Sequence, residues 1–250
     1  LDIETAPNVA HVWRFFKENI GANQVIEHCS ILSFAAKWLD KDKVYYYDVY
    51  KSNEQLILMS LNKLLREADA TITHNGKAFD MPKIRGRSLV YGLTPVAPIK
   101  EIDTCVVAKK EFGFDSNSLE YLAEVLECKS KKNKHSKFPG HELWTECLKD
   151  NPEAWAEMKR YNIHDITILE EVYYKMLPYM TRHPNMGVFI ESDNRVCPKC
   201  GSENVHKDGF AHTTVGKYQQ YECNDCGGWM RDRYTVYDKE KRKVLTVNVA

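Results

Sequence analysis

The sequence predicts an α/β protein: a mixed sheet flanked by helices, followed by a small cysteine-bearing module. Three features carry that expectation. Apolar runs of strand length come first and then alternate with helical patterns, the order of a sheet with helices packed on it. One long helical pattern, over 152–176, carries acids among its apolar positions. Near the end, four of the eight cysteines stand as two Cys-x-x-Cys pairs.

The first element is a strand at Asp2, Ile3 and Glu4, where apolar and acidic residues alternate. The chain opens as though inside that strand, so a few residues are expected ahead of Leu1. Residues 31–38 and 44–50 read as two further strands around a short polar turn. A helix follows, with Leu58, Leu61 and Leu65 on one face and Asn53 as its cap. Residues 71–74 form a short strand. A helix then runs from near Asp80 towards Tyr91 and is closed by Gly92. Residues 99–104 are the fifth strand. Asn117 or Ser118 caps the next helix.

Residues 129–137 hold five lysines and almost no apolar side chain. They read first as a solvated loop and second as a mobile basic arm over a phosphate backbone. Helical patterning resumes over 141–148. Asn151-Pro152-Glu153 then supplies a cap, a proline at the first helical position and an early acid. That helix passes Trp155, Met158, Tyr161, Ile166 and Leu169, reaches about Met176, and ends before Pro178. The predicted division is a domain over 1–190 and a module over 191–250.

Composition sets the outer limits. Hydrophobic residues make up 43% and charged residues 28%, ordinary values for a globular protein. No apolar run approaches the ~20 residues of a membrane span, and no signal-peptide pattern opens the chain. Thirty-five basic and thirty-five acidic residues balance. That argues against a sequence-blind nucleic-acid coat but allows local patches. Tight cysteine pairs beside scattered single cysteines fit metal binding in a reducing, intracellular (cytoplasmic) compartment.

The acids are the chemically telling feature. Asp2 and Glu4, two apart on a strand, project to one face while Ile3 turns to the other. Tyr161 and Asp165, four apart on a helix, also share a face. Asp80 follows a strand and opens a helix. Grouped carboxylates repel one another and raise their pKa values unless cations lie among them. Two divalent ions remove that conflict and suit phosphodiester hydrolysis. Hard oxygen ligands favour Mg²⁺ or Mn²⁺. Taken singly each acid is unremarkable, a surface charge or a helix cap.

Their order and surroundings are more specific. LDIET at 1–5, THNGKAFD at 73–80 and YNIHD at 161–165 resemble the three motifs of the DnaQ-like DEDDy exonucleases. IDT at 102–104 and NSLEYLAEVL at 117–126 are similar to the same family. SFAAKWL at 33–39 and GHELW…NPEAW at 140–155 resemble its RNase H-like branch of stand-alone predicted exonucleases. The resemblance covers about 1–180. It implies an RNase H-like mixed five-stranded sheet flanked by helices, and a two-metal 3′–5′ exonuclease. Asp2, Glu4 and Asp165 would hold the first ion, Asp2 would bridge to the second, and Asp80 would support that one through water. Tyr161 would orient the attacking water, and Asn75 would contact substrate or the Asp80 turn. Asp103 reads as a structural acid, and His74 and His164 as outside the ligand set. Nucleic acid is the expected partner, DNA ahead of RNA. Proofreading would require a replication or repair partner, since no polymerase region is present. An endonuclease on the same fold and a non-catalytic binding scaffold are the competing readings.

Cys197, Cys200, Cys223 and Cys226 enclose 22 residues between the pairs. Four thiolates in two knuckles fit one tetrahedral, structural Zn²⁺. Gly201 and Gly227 follow the pairs as such turns prefer. The surrounding residues resemble zinc ribbons of transposase-type DNA-binding proteins. Tyr218, Tyr221, Trp229, Arg231 and Arg233 are candidates for stacking and phosphate contact; alternatively the aromatics fill the ribbon. Residues 191–250 hold ten basic and nine acidic side chains, so no broad basic face is expected.

Overall fold

The computed structural model describes residues 1–130 and 137–249. The chain divides into two compact units, Leu1–Tyr173 and Tyr174–Ala250. The first opens with strands β1 (Asp2–Thr5), β2 (Val9–Ala10), β3 (Val25–Glu27), β4 (Ile31–Lys37) and β5 (Val44–Asp48). Helix α1 (Glu54–Glu67), β6 (Ala70–Thr73), α2 (Asp80–Val90), β7 (Lys100–Asp103) and α3 (Thr104–Glu111) follow. Helices α4 (Leu119–Val125), α5 (Glu142–Leu148) and α6 (Pro152–Met176) complete the series. Among the described residues no helix is long and apolar enough to cross a membrane.

β1 pairs antiparallel with β4, and β4 with β5. β6 and β7 pair in parallel. The expected five-stranded sheet is thus corrected to ladders of three and two strands. The reason lies on one edge of β1. The Leu1 nitrogen donates to Ile72 O of β6 at 3.0 Å. The next donor on that edge, the Ile3 N–H, goes instead to Asp80 Oδ1 at 3.1 Å. A side-chain carboxylate therefore stands where a strand-to-strand bond would have continued the ladder.

Period-2 alternation sorts the two faces of β1 and β4. Ile3 lies opposite Phe34, and both pack with Ile57, Leu58 and Leu61 of α1 and Met81 and Ile84 of α2. Asp2 and Glu4 face the other way, beside Ser33 and Ala35. The register slips between Glu4 and Thr5, so Thr5 pairs with Ile31. This irregularity re-phases the strand. Ile31 joins the α1–α2 core, while Leu32 joins Trp155 and Met158 of α6 in a second core. Each fully buried side chain of this size contributes about 1.5–3 kcal/mol.

The caps follow the sequence closely. Asn53 Oδ1 accepts from Leu56 N at 3.0 Å, and Ser118 Oγ from Tyr121 N at 3.3 Å. Asn151 Oδ1 accepts from Glu153 N at 3.0 Å. Gly92, at φ 61°, closes α2 in the left-handed conformation that glycine tolerates. Two elements exceed the sequence reading. The β2–β3 hairpin is too short to show a period, and α3 begins directly on the last residues of the predicted strand 99–104. Of the basic run at 129–137, residues 131–136 lie outside the described residues. Lys137 pairs with Glu153 at 2.6 Å, both exposed.

The second unit holds a three-stranded antiparallel sheet of β8 (Val205–His212), β9 (Lys217–Cys223) and β10 (Trp229–Arg231), with β9 central. A short helix, α7 (Lys239–Lys243), follows.

Candidate functional site

Three of the four expected carboxylates converge. Asp2, Glu4 and Asp165 each offer an oxygen within 4.8 Å of the others. They open onto a cleft of about 660 Å³, lined also by Tyr161, Asn75 and His74. The strand pleat aims Asp2 and Glu4 at α6, and the helix returns Asp165 to meet them. The Asp2 carboxyl is pushed well above the ordinary carboxylate range, first by burial and then by the charges of Glu4, Asp80 and Asp165. This donor set fits divalent cations: hard oxygens, close together, with mutual repulsion that a cation would relieve.

Asp80 stands apart from that trio. It is buried at the first turn of α2, and its Oδ1 holds the Ile3 N–H. Burial pushes its carboxyl up to about 6, against the lowering effect of that bond. The turn before it is tightly built. A Cβ on Gly76 would lie 2.3 Å from Thr73 Oγ1 and 2.4 Å from Thr73 Cβ, so only glycine fits. Asn75 has a left-handed φ of 64° and lines the cleft. Asp103 ties the turn down. Its carboxylate accepts from the backbone N–H of Asn75 and Lys77 at 2.9 and 3.0 Å. It also caps α3 through Cys105 N at 3.0 Å and Val106 N at 3.2 Å. His74 bonds Thr104 Oγ1 and the Asn117 carbonyl, both at 2.9 Å, so both ring nitrogens are engaged.

On α6, Tyr161 lies one turn before Asp165. Burial, then the charges of Asp165, Glu4 and Asp2, push the Tyr161 phenol far up, so it stays protonated. Two contributors escaped the sequence reading. Asn162, fully buried, donates from Nδ2 to Asp2 Oδ2 at 2.6 Å and accepts from Ser33 Oγ at 3.2 Å. Trp144 of α5 donates from Nε1 to Glu4 Oε2 at 2.8 Å and sets its ring edge-on to Tyr161 at 6.0 Å. Their sequence signal was slight: each sits inside a motif noticed for its neighbours. Lys109 of α3 also lines the cleft; its helix was hidden behind the strand reading.

In the second unit the sulfurs of Cys197, Cys200, Cys223 and Cys226 lie within 4.8 Å of one another. The two knuckles repeat one geometry. Gly201 N donates to Cys197 O at 2.9 Å, and Gly227 N to Cys223 O at 2.9 Å. Both glycines have positive φ, 77° and 68°. Four convergent thiols in this arrangement fit a structural zinc site. The aromatics divide. Tyr221 is buried and bonds Asp232 at 3.1 Å, which corrects its candidacy as a contact residue; it fills the module. Arg231 stacks over Tyr218 at 3.9 Å. Trp229 is 46% exposed.

The family described as the RNase_H superfamily matches residues 23–177, well over half of the chain. The match contains Asp80, Tyr161 and Asp165; it begins after Asp2 and Glu4 and ends before the cysteines. No curated protein matches the chain.

Proposed function

This chain belongs to the RNase H superfamily, and on that premise we propose that it is a metal-dependent 3′–5′ exonuclease of the DEDDy type. The superfamily carries nuclease-type function with nucleic acid as substrate. The finer reading rests on one observation: Asp2, Glu4 and Asp165 offer oxygens within 4.8 Å of one another, with Tyr161 one helical turn from Asp165. An Asp-x-Glu pair on one strand, facing a Tyr-x-x-x-Asp helix, is the layout the motifs imply.

Asp2, Glu4 and Asp165 would hold two Mg²⁺ or Mn²⁺ ions, with Asp80 in support. When bound, the ions supply an acidified water and charge compensation for the leaving oxygen. The chain's own groups orient these parts. Asn162 fixes one oxygen of Asp2, and Trp144 one oxygen of Glu4. Tyr161, held as a neutral phenol, orients the attacking water without taking its proton. Asn75, which lines the cleft, would contact the substrate. The cysteine module, whose Cys197, Cys200, Cys223 and Cys226 would hold one structural Zn²⁺, would assist binding through exposed side chains such as Trp229.

The test uses 5′-labelled single- and double-stranded DNA and RNA with Mg²⁺, Mn²⁺ or EDTA. A ladder shortening from the 3′ end is expected, lost with EDTA and reduced about 10³-fold or more by Asp165→Ala. Internal cuts would replace this reading with an endonuclease. Metal-independent loss of substrate, or full activity in Asp165→Ala, would remove it.

A further inference from the structure

We propose that the loop joining β2 to β3 is an aromatic–cationic clamp for single-stranded nucleic acid; the inference rests on the nuclease reading and adds a binding site to it. Trp13, Phe15 and Phe16 are 86%, 95% and 84% exposed. Val12 and Ile20 are exposed beside them in sequence. Large apolar side chains concentrated like this at a surface mark a binding site.

The loop holds its shape through its own bonds. Glu18 Oε2 accepts from Trp13 N at 3.0 Å and Arg14 N at 2.6 Å. Glu18 Oε1 accepts from Gln24 Nε2 at 3.0 Å, and that same amide reaches His11 O at 3.0 Å. Gly21 N donates to Gln24 Oε1 at 2.7 Å. Glu18 is the only acid between His11 and Gln24, and these bonds occupy its carboxylate. Among the described residues, Arg14 and Lys17 take part in no ion pair. The exposed stretch therefore reads Trp-Arg-Phe-Phe-Lys, three rings interspersed with two cations.

That chemistry selects the occupant. Rings stack on unpaired bases while guanidinium and ammonium meet phosphates. A duplex hides its base faces in its own stack. A two-fold contact between copies would bury Arg14 and Lys17 of both, with no free acid in the patch to pair them. The position agrees as well. Four residues lie between Glu4 and Val9, so β2, on which the loop is mounted, starts within roughly 18 Å of Glu4 along the chain.

The test is anisotropy of 5′-fluorescein dT20 and rU20 in EDTA with the full chain. Trp13→Ala/Phe15→Ala/Phe16→Ala is expected to weaken binding about 30-fold or more. Arg14→Gln/Lys17→Gln is expected to weaken it about 10-fold and flatten its salt dependence. Hydrolysis of thymidine 5′-p-nitrophenyl phosphate, too small to reach the loop, should be unchanged in both variants. If wild type binds as expected but hydrolyses nothing with metal, the nuclease reading fails and the clamp stands. A wild type that binds neither oligomer, or a triple variant that binds as wild type does, overturns the clamp. So does a triple variant with unchanged affinity that converts a dimer to a monomer in sedimentation, which assigns the face to a second copy.

Discussion

Asp2, Glu4 and Asp165 are held close by neighbours that do not share their charge. Trp144 and Asn162 each donate one hydrogen bond to a carboxylate and so fix its orientation. Groups in this position commonly change metal affinity or activity about 10–100-fold when lost. Trp144→Phe should therefore weaken Mn²⁺ binding about 10-fold in a calorimetric titration, with little change in the melting temperature of the metal-free protein. Asp80 allows a pH prediction. Burial raises its pKa to about 6, so the folded protein favours the protonated form. In metal-free protein the cost appears as pH rises above the ordinary carboxylate value and is complete above about 6. Asp80→Asn keeps an acceptor for the Ile3 N–H and removes the charge. It should stabilise the EDTA-treated protein by roughly 2 kcal/mol at pH 8 and by almost nothing at pH 4. Denaturant unfolding at the two pH values measures this; equal effects at both would remove the electrostatic account.

Between β6 and α2 the chain makes a turn that must deliver Asp80 to the flank of β1. Gly76 passes against Thr73 too closely for any side chain. Asp103, at the end of the neighbouring strand, receives the N–H groups of Asn75 and Lys77 on one side and of Cys105 and Val106 on the other. One buried carboxylate thus joins a turn, a strand end and a helix start. Asp103→Ala leaves these buried donors unmatched and should cost roughly 3–5 kcal/mol in unfolding free energy. Asp103→Asn retains the Oδ1 acceptor, which serves three of the four donors, and should cost less. Helix α6 is positioned by packing and by polar ties to the strands. Trp155 and Met158 fill the second core, Lys37 of β4 pairs with Glu170 at 2.5 Å, and Asn162 reaches Ser33.

Among the described residues, the two compact units present ligand sets of opposite chemistry. One is hard oxygen at a cleft; the other is sulfur in closed knuckles. The first suits exchangeable divalent ions, the second a permanent structural ion. Elemental analysis is expected to find about one zinc per chain. Cys223→Ser should lower that to near zero and strip hydrogen-exchange protection from β8 and β9, because a small sheet with few buried side chains depends on its metal. Full protection in the zinc-free variant would show that Tyr221 and its neighbours suffice as a core.

Much of this molecule was legible in the residues themselves, wherever a short repeat carries the information. Alternation put Asp2 and Glu4 on one face, helical spacing put Tyr161 over Asp165, and two Cys-x-x-Cys pairs marked the sulfur site. Asn53, Ser118 and Asn151 announced helix starts because caps are local. What stayed hidden depends on partners far apart in the chain. Asn162 meets Asp2 across 160 positions, Trp144 meets Glu4 across 140, and Asp80 meets Ile3 across 77. Nothing local encodes these meetings. Helix α3 was hidden because its cap, Asp103, is also the last residue of β7, with no glycine or proline between strand and helix. The slip after Glu4, past which Ile31 and not Leu32 shares the core of Phe34, arises only when β1 and β4 pair. Local pattern was enough to mark which side chains could form a metal site and the face each would occupy. Tertiary packing decided that three acids close on one point while the fourth, drawn to a backbone N–H, stands behind them.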